Sequence, residues 1–430
     1  MFSFVISELH KLGKHKLYLI LLVAIVVIPT WLSIHDSASI AGINTLKSNI
    51  KREKEYAGEI TESWLQKQID TYNERYPAYL DSILDESKMM ETYGENWRQN
   101  IDLYDCIYKY QDTRGDCKVY YLDPFPSDDN IQNADTETLV GVIDYGKYIL
   151  NQEWENFDKR EYHHIGTSEN GEMVIEYEEM TPEIEQENGH MKQSFRKENH
   201  FYYGEIIIMK SVLDSLQLIG VLLGFYLLML FSAMFNKEEK EDTISLLKTT
   251  KYGKRKMISA KIITAILLAI FIPIVVIGAV LLIHSVILGT PDWNAPFNRI
   301  SLTYLHRITT LTLKSTLWIV TGLFIVGSLF ISMISLLLSR MMKSSYHSLI
   351  VGFLILVVPL FVFDFQVGTF SLKSLIPIEY MHFSYHLLVE TSTIANHTFY
   401  DVMFILKTGI LPFCLIPIIL EYDKRKEVVR

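Results

Sequence analysis

Few residues of this 430-residue chain are arranged in patterns that could do chemistry. His163 and His164 form an adjacent histidine pair, but neighbouring side chains point in different directions on a helix or a strand. No His-Glu-x-x-His or Cys-x-x-Cys motif accompanies the pair, so the sequence predicts no metal site. A Gly-x-x-x-x-Gly-Lys-Ser/Thr phosphate loop is also missing. We therefore expect no catalytic residue, no bound cofactor and no nucleic-acid partner.

Three cysteines occur, at positions 106, 117 and 414. Cys106 and Cys117 lie in a polar segment and could form a disulfide that closes a small loop, if that segment is in an oxidising compartment. Two free thiols are the alternative. Cys414 lies in an apolar run, where an inert buried or lipid-facing thiol is expected.

A charged stretch over residues 235–261 separates two long apolar runs and carries an internal pattern. Its acidic start comprises Glu238, Glu239, Glu241 and Asp242, its apolar stripe Ile244, Leu246 and Leu247, and its basic end Lys254, Arg255, Lys256 and Lys261. Acidic residues at the start of a helix and basic residues near its end complement the helix dipole. The stretch therefore predicts a short amphipathic helix at the membrane surface, suited to docking another protein.

The elements that position this stretch are apolar spans. Hydrophobic residues make up 49% of the chain, and the mean hydropathy is positive despite a net charge of -10. Six runs are long enough to cross a bilayer, at residues 17–34, 206–235, 262–288, 311–338, 349–363 and 402–420. The fifth is the shortest. The first could be a signal peptide, but its length of about 18 residues exceeds the usual apolar core of 7–15, so we predict that it is retained.

Lysine and arginine are distributed unevenly between the loops. Residues 1–16, 236–261, 339–347 and 421–430 carry 17 of them, whereas residues 289–310 and 364–401 carry 3. The positive-inside rule then places both termini and the 236–261 loop in the cytoplasm of a plasma-membrane protein, with residues 289–310 and 364–401 outside.

The same rule places residues 35–205 outside the membrane as a separate domain. This segment holds 36 acidic and 17 basic residues. Apolar residues at helical spacing predict helices between residues 50 and 110, and residues 172–177 read as a strand of a hairpin. We therefore predict a large mixed α/β extracellular domain between the first two of six transmembrane helices. Its acidic surface could attract cationic ligands, but a solvated outer face is the simpler interpretation.

Small residues recur within the spans and could mark sites of close helix packing. Gly220 and Gly224 lie four apart in the second span, and Gly322 and Gly327 lie in the fourth. We interpret them as a surface that packs against a partner copy. Lys314 and Lys407 lie where their side chains can reach the interface, and the spans show no obvious carboxylate at midplane depth.

The 235–261 stretch, with a span on each side, resembles the coupling segment of ABC-2 type permeases, the membrane subunits of a class of ABC exporters. Glu238 matches the family's acidic position, Thr243 and Ile244 its Thr-Leu pair, Leu246 and Leu247 its helix, and Lys261 the lysine that enters the third span. Lys254 stands where arginine is usual, Asp242 replaces a common glycine and Lys251 replaces a proline. Residues 4–16 also resemble the family's amphipathic N-terminal helix.

This resemblance implies an exporter built from two permeases, alike or related, above two separate ABC ATPase subunits. ATP and Mg²⁺ would be bound by those partner chains, and the helix around residues 238–247 would sit in a groove of the ATPase. With few charges in its spans, the chain suits an amphipathic substrate, such as an antimicrobial peptide or a drug, better than an inorganic ion.

Two other classes of protein stay open. A membrane sensor would bind a ligand with its outer domain and use the spans only to transmit the signal. A secondary transporter is disfavoured by the lack of midplane carboxylates. Co-purification of an ATPase that carries a phosphate loop would separate the permease from both.

Overall fold

The chain divides into two compact units, one comprising residues 1–50, 158–198 and 205–430 and the other residues 51–157 and 199–204. The computed structural model describes residues 5–8, 10, 16–38, 42–83, 86–93, 131–150, 162–167, 173–178, 201–235, 253–300, 311–342, 344–362, 366–367, 370–371, 375–383, 388, 391–394 and 397–428.

The longer helices are α1 (Lys16–Ala38), α2 (Gly42–Glu55), α3 (Glu62–Ile83), α4 (Glu86–Tyr93), α5 (Ile131–Leu150), α6 (Ile207–Ser232), α7 (Gly253–Ile287), α8 (Leu313–Met341), α9 (Ser345–Val362), α10 (Pro377–His382), α11 (Asp401–Thr408) and α12 (Leu415–Val428). Short 3₁₀ turns cover Phe297–Ile300 and Leu411–Cys414. The strands are β1 (Gly58–Glu59), β2 (Tyr162–Thr167), β3 (Met173–Glu178), β4 (Tyr202–Tyr203), β5 (Gln366–Val367), β6 (Phe370–Ser371), β7 (Thr391–Ile394) and β8 (His397–Tyr400). They form antiparallel pairs, β1 with β4, β2 with β3, β5 with β6 and β7 with β8.

Apolar helices dominate the first unit. Within the described residues, five stretches are long and apolar enough to cross a membrane: Lys16–Ala38, Ile207–Ser232, Lys256–Ile287, Leu313–Met341 and Asp401–Glu421. The apolar part of α9, Ser345–Val358, is shorter than the other five, as its sequence predicts. The chain is thus a polytopic helical membrane protein, and the sixth span stays a prediction at α9.

Helices α6 and α8 form the centre of this bundle. In the most apolar part of each helix, 67% of the residues of α6 and 72% of those of α8 are buried inside the protein. The corresponding shares are 28% for α1 and 33% for α7.

Local hydrogen bonds fix where the two central helices begin. The Glu205 carboxylate accepts a hydrogen bond from the Ile208 N–H, and Thr312 and Ser315 form a capping box at the start of α8. The outer helices keep exposed apolar faces, including Leu19 and Phe271.

Helix α10 differs from the predicted outer loop over residues 364–401. It packs against the middle of α6 at Gly220 and against the middle of α8 at Gly327. The Met381 side chain fills the space beside Gly327, and its carbonyl oxygen faces Gly220. Glycine allows this approach because it has no Cβ. Helix α10 contains Glu379 and His382, which the sequence leads us to expect near the outer ends of the spans or in a loop.

The four glycines singled out in the sequence all contact other segments of the same chain. A Cβ at Gly224 would lie 3.2 Å from Ile331 Cδ1, and one at Gly322 would lie 2.9 Å from Leu406 Cδ2. Gly220 and Gly327 receive Met381 as described above. At these four positions the space that we assigned to a partner copy therefore holds other segments of the same chain.

The second unit is built around Trp64. Its indole Nε1 donates to the Tyr56 carbonyl at 3.1 Å, and its ring lies against Gly146 and, 5.8 Å between centroids, against Tyr203. The β1–β4 pair joins Gly58 to Tyr203, so the two ends of this unit meet beside the same tryptophan. Helices α3 and α5 pack on each other in this unit.

The sequence predictions for residues 35–205 can be compared with these elements. Helices α3 and α4 lie within the predicted helical region, and β3 falls on the predicted strand and pairs with β2 as a hairpin. Residues 94–110 lie outside the described part of the chain. The location of this segment relative to the membrane stays a prediction.

Candidate functional site

Lys261, which the sequence places at the entry to the third span, is buried in a cluster at one end of the helix bundle. Only 1% of its side chain is exposed. Its ammonium lies 3.0 Å from the Glu8 carboxylate and donates a second hydrogen bond, at 2.7 Å, to the Met234 carbonyl. The Glu8 side chain is also buried. A buried charge persists only where it is paired and hydrogen-bonded, so this pair fixes the relative positions of the segments that carry it.

Phe235 lies beside this ion pair and is held by two further contacts. Its backbone N–H donates to the Ser339 hydroxyl at 3.1 Å. Lys261 Nζ lies 5.5 Å from the centre of its ring, and the Arg340 guanidinium carbon lies 5.2 Å from it. Both distances are within the range of cation–π attraction. We call Glu8, Met234, Phe235, Lys261, Ser339 and Arg340 the basic-end cluster.

The cluster joins four segments that are far apart in the sequence. Glu8 comes from the N-terminal helical turn at residues 5–8, and Phe235 is the last residue of the turn that follows α6. Lys261 lies near the start of α7, and Ser339 lies in the last turn of α8. A lysine beside the carbonyls that follow α6 also complements the negative end of that helix dipole.

Both ends of the segment at residues 236–252 are therefore fixed by the same cluster. Phe235 immediately precedes the segment, and α7, which begins at Gly253, carries Lys261 two turns further on. No nucleophile with an adjacent base occurs among these six residues. A salt bridge, two hydrogen bonds to backbone atoms and cation–π contacts suit the transmission of a displacement rather than a chemical step.

The other predicted site residues fall into two groups. Lys254 lies in the first turn of α7. Outside the described residues lie Glu238, Glu239, Thr243, Leu246, Leu247 and the proposed disulfide partners Cys106 and Cys117. Their coupling and disulfide roles stay predictions.

Sequence reasoning missed four members of the cluster, namely the side chains of Glu8, Ser339 and Arg340 and the Met234 carbonyl. One signal for Glu8 was present, because it is the single acidic residue among the first sixteen, a segment that carries three lysines. An acidic residue on a basic amphipathic helix suggests a specific partner, but the sequence does not say which cation it meets. Ser339 and Arg340 carried no comparable signal.

A second polar cluster joins α1, α6 and α7 at the end of the bundle opposite to the basic-end cluster. The buried His284 donates through Nδ1 to the Val280 carbonyl at 2.9 Å, and its Nε2 lies 3.2 Å from the Ser211 hydroxyl. Ser33 on α1 and Ser215 both donate to the Ser211 carbonyl, at 2.7 Å and 2.8 Å. These bonds satisfy buried polar groups and hold three helices together, which is a structural role.

Comparison with known proteins identifies the family. A family model described as ABC-2 family transporter protein matches residues 5–403. No curated protein and no solved structure matches the chain. The match covers every residue of the basic-end cluster, from Glu8 to Arg340, and four of the five long apolar stretches in full. Membership of this family implies a transport subunit that associates with ABC ATPases. The chain belongs to the ABC-2 family of transporter proteins.

Proposed function

We propose that this chain is the membrane-spanning permease of an ATP-driven ABC exporter. In this proposal, residues 236–252 dock on a separate ATPase subunit, and the basic-end cluster carries the movement of the docked segment into the helix bundle. The single observation that supports this most directly is that Phe235 and Lys261, on either side of that segment, are both held by buried polar contacts.

The basic end of the bundle is then the cytoplasmic end in the plasma membrane, with both termini on that side. The excess of lysine and arginine in residues 1–16, 236–261 and 421–430 supports this orientation. Residues 35–205 would form the extracellular domain. ATP and Mg²⁺ would be bound by the partner ATPase, and this chain would hold neither.

A second permease copy or a paralogue would complete the pathway, and the substrate would be an amphipathic molecule such as an antimicrobial peptide or a drug. The pair formed by the partly buried Phe225 and the exposed Phe353 supports this class of substrate. Their rings stack between α6 and α9 with centroids 5.4 Å apart, and 45% of Phe353 is exposed. An exposed aromatic surface favours the apolar part of such a molecule over an inorganic ion.

Co-purification tests the assignment. We expect the tagged, full-length chain, expressed in its own organism, to retain an ATPase that carries a phosphate loop. Replacing Leu246 and Leu247 together by Asp should release that ATPase, because both lie on the apolar stripe of the predicted docking helix. Ser245→Asp, which helical spacing puts on the side opposite that stripe, is the matched control and should retain it. A purified chain that carries no ATPase, or a double variant that binds it as well as the parent, would contradict the proposal.

A further inference from the structure

The two hydrogen-bond acceptors of the Lys261 ammonium belong to different parts of the chain. The Met234 carbonyl lies in the turn that follows α6 and is therefore part of the helix bundle. The Glu8 carboxylate belongs to the N-terminal turn, and seven residues separate that turn from the start of α1. The separation of Glu8 and Lys261 along the chain is 253 residues. The ion pair is thus a long-range contact between a terminal segment and the bundle.

The N-terminal turn has one packed face and one exposed face. Val5 and Glu8, three residues apart, are 6% and 7% exposed, whereas Ile6 between them is 51% exposed. Residues three apart lie on the same side of a helical turn. The packed face therefore consists of an apolar residue and a carboxylate.

We propose that the N-terminal turn is a releasable strap, and that Glu8 is the positioning residue that closes it on Lys261. This inference rests on the proposed function, since release would accompany the ATPase-driven movement of residues 236–252. In the closed state the strap holds Lys261, and with it the start of α7, against the end of α6. In the open state α7 is free to move relative to the N-terminal turn.

The contacts make release possible without leaving Lys261 as a bare buried cation. When Glu8 departs, Lys261 keeps the Met234 carbonyl, the negative end of the α6 dipole and the face of the Phe235 ring. The Glu8 carboxylate moves to the surface, where water solvates it. Val5 becomes exposed in the same movement, because it shares the packed face of the turn with Glu8.

Cysteine labelling can detect the two states. In a background where Cys106, Cys117 and Cys414 are replaced by Ser, single Val5→Cys and Ile6→Cys variants of the full chain are reacted with a polar maleimide. We expect Val5→Cys to react slowly and Ile6→Cys quickly. Adding Glu8→Gln should raise the Val5→Cys rate about tenfold or more, since a charge-assisted hydrogen bond is lost, and should leave the Ile6→Cys rate unchanged. This arm needs no ATPase.

A second arm uses the complex with its ATPase. We expect the Val5→Cys rate to differ between the nucleotide-free state and the state trapped with ATP and vanadate, with the Ile6→Cys rate constant. Equal Val5→Cys rates with and without Glu8→Gln, or equal rates in the two nucleotide states, would overturn the strap while leaving the permease assignment intact. If no ATPase co-purifies, the proposed function fails and the role of the strap in the cycle fails with it.

Discussion

Gly220 on α6 faces the Met381 carbonyl of α10 so closely that a Cβ at position 220 would overlap the carbonyl oxygen. Gln217, one turn earlier on α6, donates to the Phe383 carbonyl at 3.0 Å. Phe383 adopts a φ of 21°, which non-glycine residues rarely do. The end of α10 is therefore held in the middle of the bundle by a close backbone approach and a hydrogen bond, at the cost of a strained residue.

Replacing Gly220 by Ala should destabilise the protein, because the backbone of α10 has to move to make room. We expect a loss of about 1–3 kcal/mol, as for other overpacked sites. Gly278→Ala on α7 is the control, since nothing lies within 4 Å of a Cβ there. The control should be neutral or stabilising by up to about 1 kcal/mol. Thermal unfolding in detergent measures both variants, and equal stabilities would contradict the close contact.

The second unit offers a similar comparison on one helix, α5. A Cβ at Gly146 would lie 2.9 Å from Trp64 Cζ3, whereas nothing lies within 4 Å of one at Gly141. Gly146→Ala should therefore cost about 1–3 kcal/mol, and Gly141→Ala should cost nothing. Limited proteolysis of the full-length chain measures the difference as earlier cleavage within residues 51–157. Cleavage of both variants at the same rate would mean that Trp64 does not pack on Gly146.

The buried ion pair predicts a non-additive effect on stability. Lys261→Met alone leaves the Glu8 carboxylate without its cation, either buried or released to the surface together with Val5, and should cost about 1–3 kcal/mol. Replacing Glu8 by Leu as well removes the unpaired charge and should recover most of that loss. Lys256→Met, at an exposed lysine on the same helix, should change stability by less than about 0.5 kcal/mol. Additive losses in the double variant would show that the two residues do not interact.

The cluster around His284 predicts a difference between two serines. Ser211→Ala removes the hydroxyl that meets His284 Nε2 and leaves a buried ring nitrogen without that partner, which should cost about 1–3 kcal/mol. Ser33→Ala should cost less than about 1 kcal/mol, because the Ser211 carbonyl keeps its bond from Ser215. Thermal unfolding of the two variants under the same conditions gives the comparison. A larger loss of stability for Ser33→Ala than for Ser211→Ala would show that Ser33, and not Ser211, makes the more important hydrogen bond.

The sequence predicts those features of the fold that depend on local patterns. The apolar runs give the long helices, and the alternation after residue 171 gives β3. Lys261 was found by its place in a motif. Its partner Glu8 could not be found, because pairing over 253 residues depends on how the helices pack.

Helix α10 shows the converse limit. Its polar residues indicate a solvated loop, and only the recess left by Gly220 and Gly327 allows Pro377–His382 to pack within the bundle. A glycine in a span indicates that another segment of polypeptide packs closely against the helix at that point. It does not indicate whether that segment belongs to another chain or to the same chain.

The most direct test of the coupling role is the substrate-stimulated ATPase activity of the complete transporter in lipid vesicles. Replacing Glu238 and Glu239 together by Lys should abolish that stimulation, since the acidic start of the docking helix is reversed, while the chain still inserts. The control replaces Glu62 and Glu91, two exposed acidic residues of the second unit, by Lys and should keep full stimulation. Loss of stimulation in the first variant alone is the predicted result. Stimulation that survives the Glu238 and Glu239 reversal unchanged would contradict the assignment of residues 236–252 as the coupling segment.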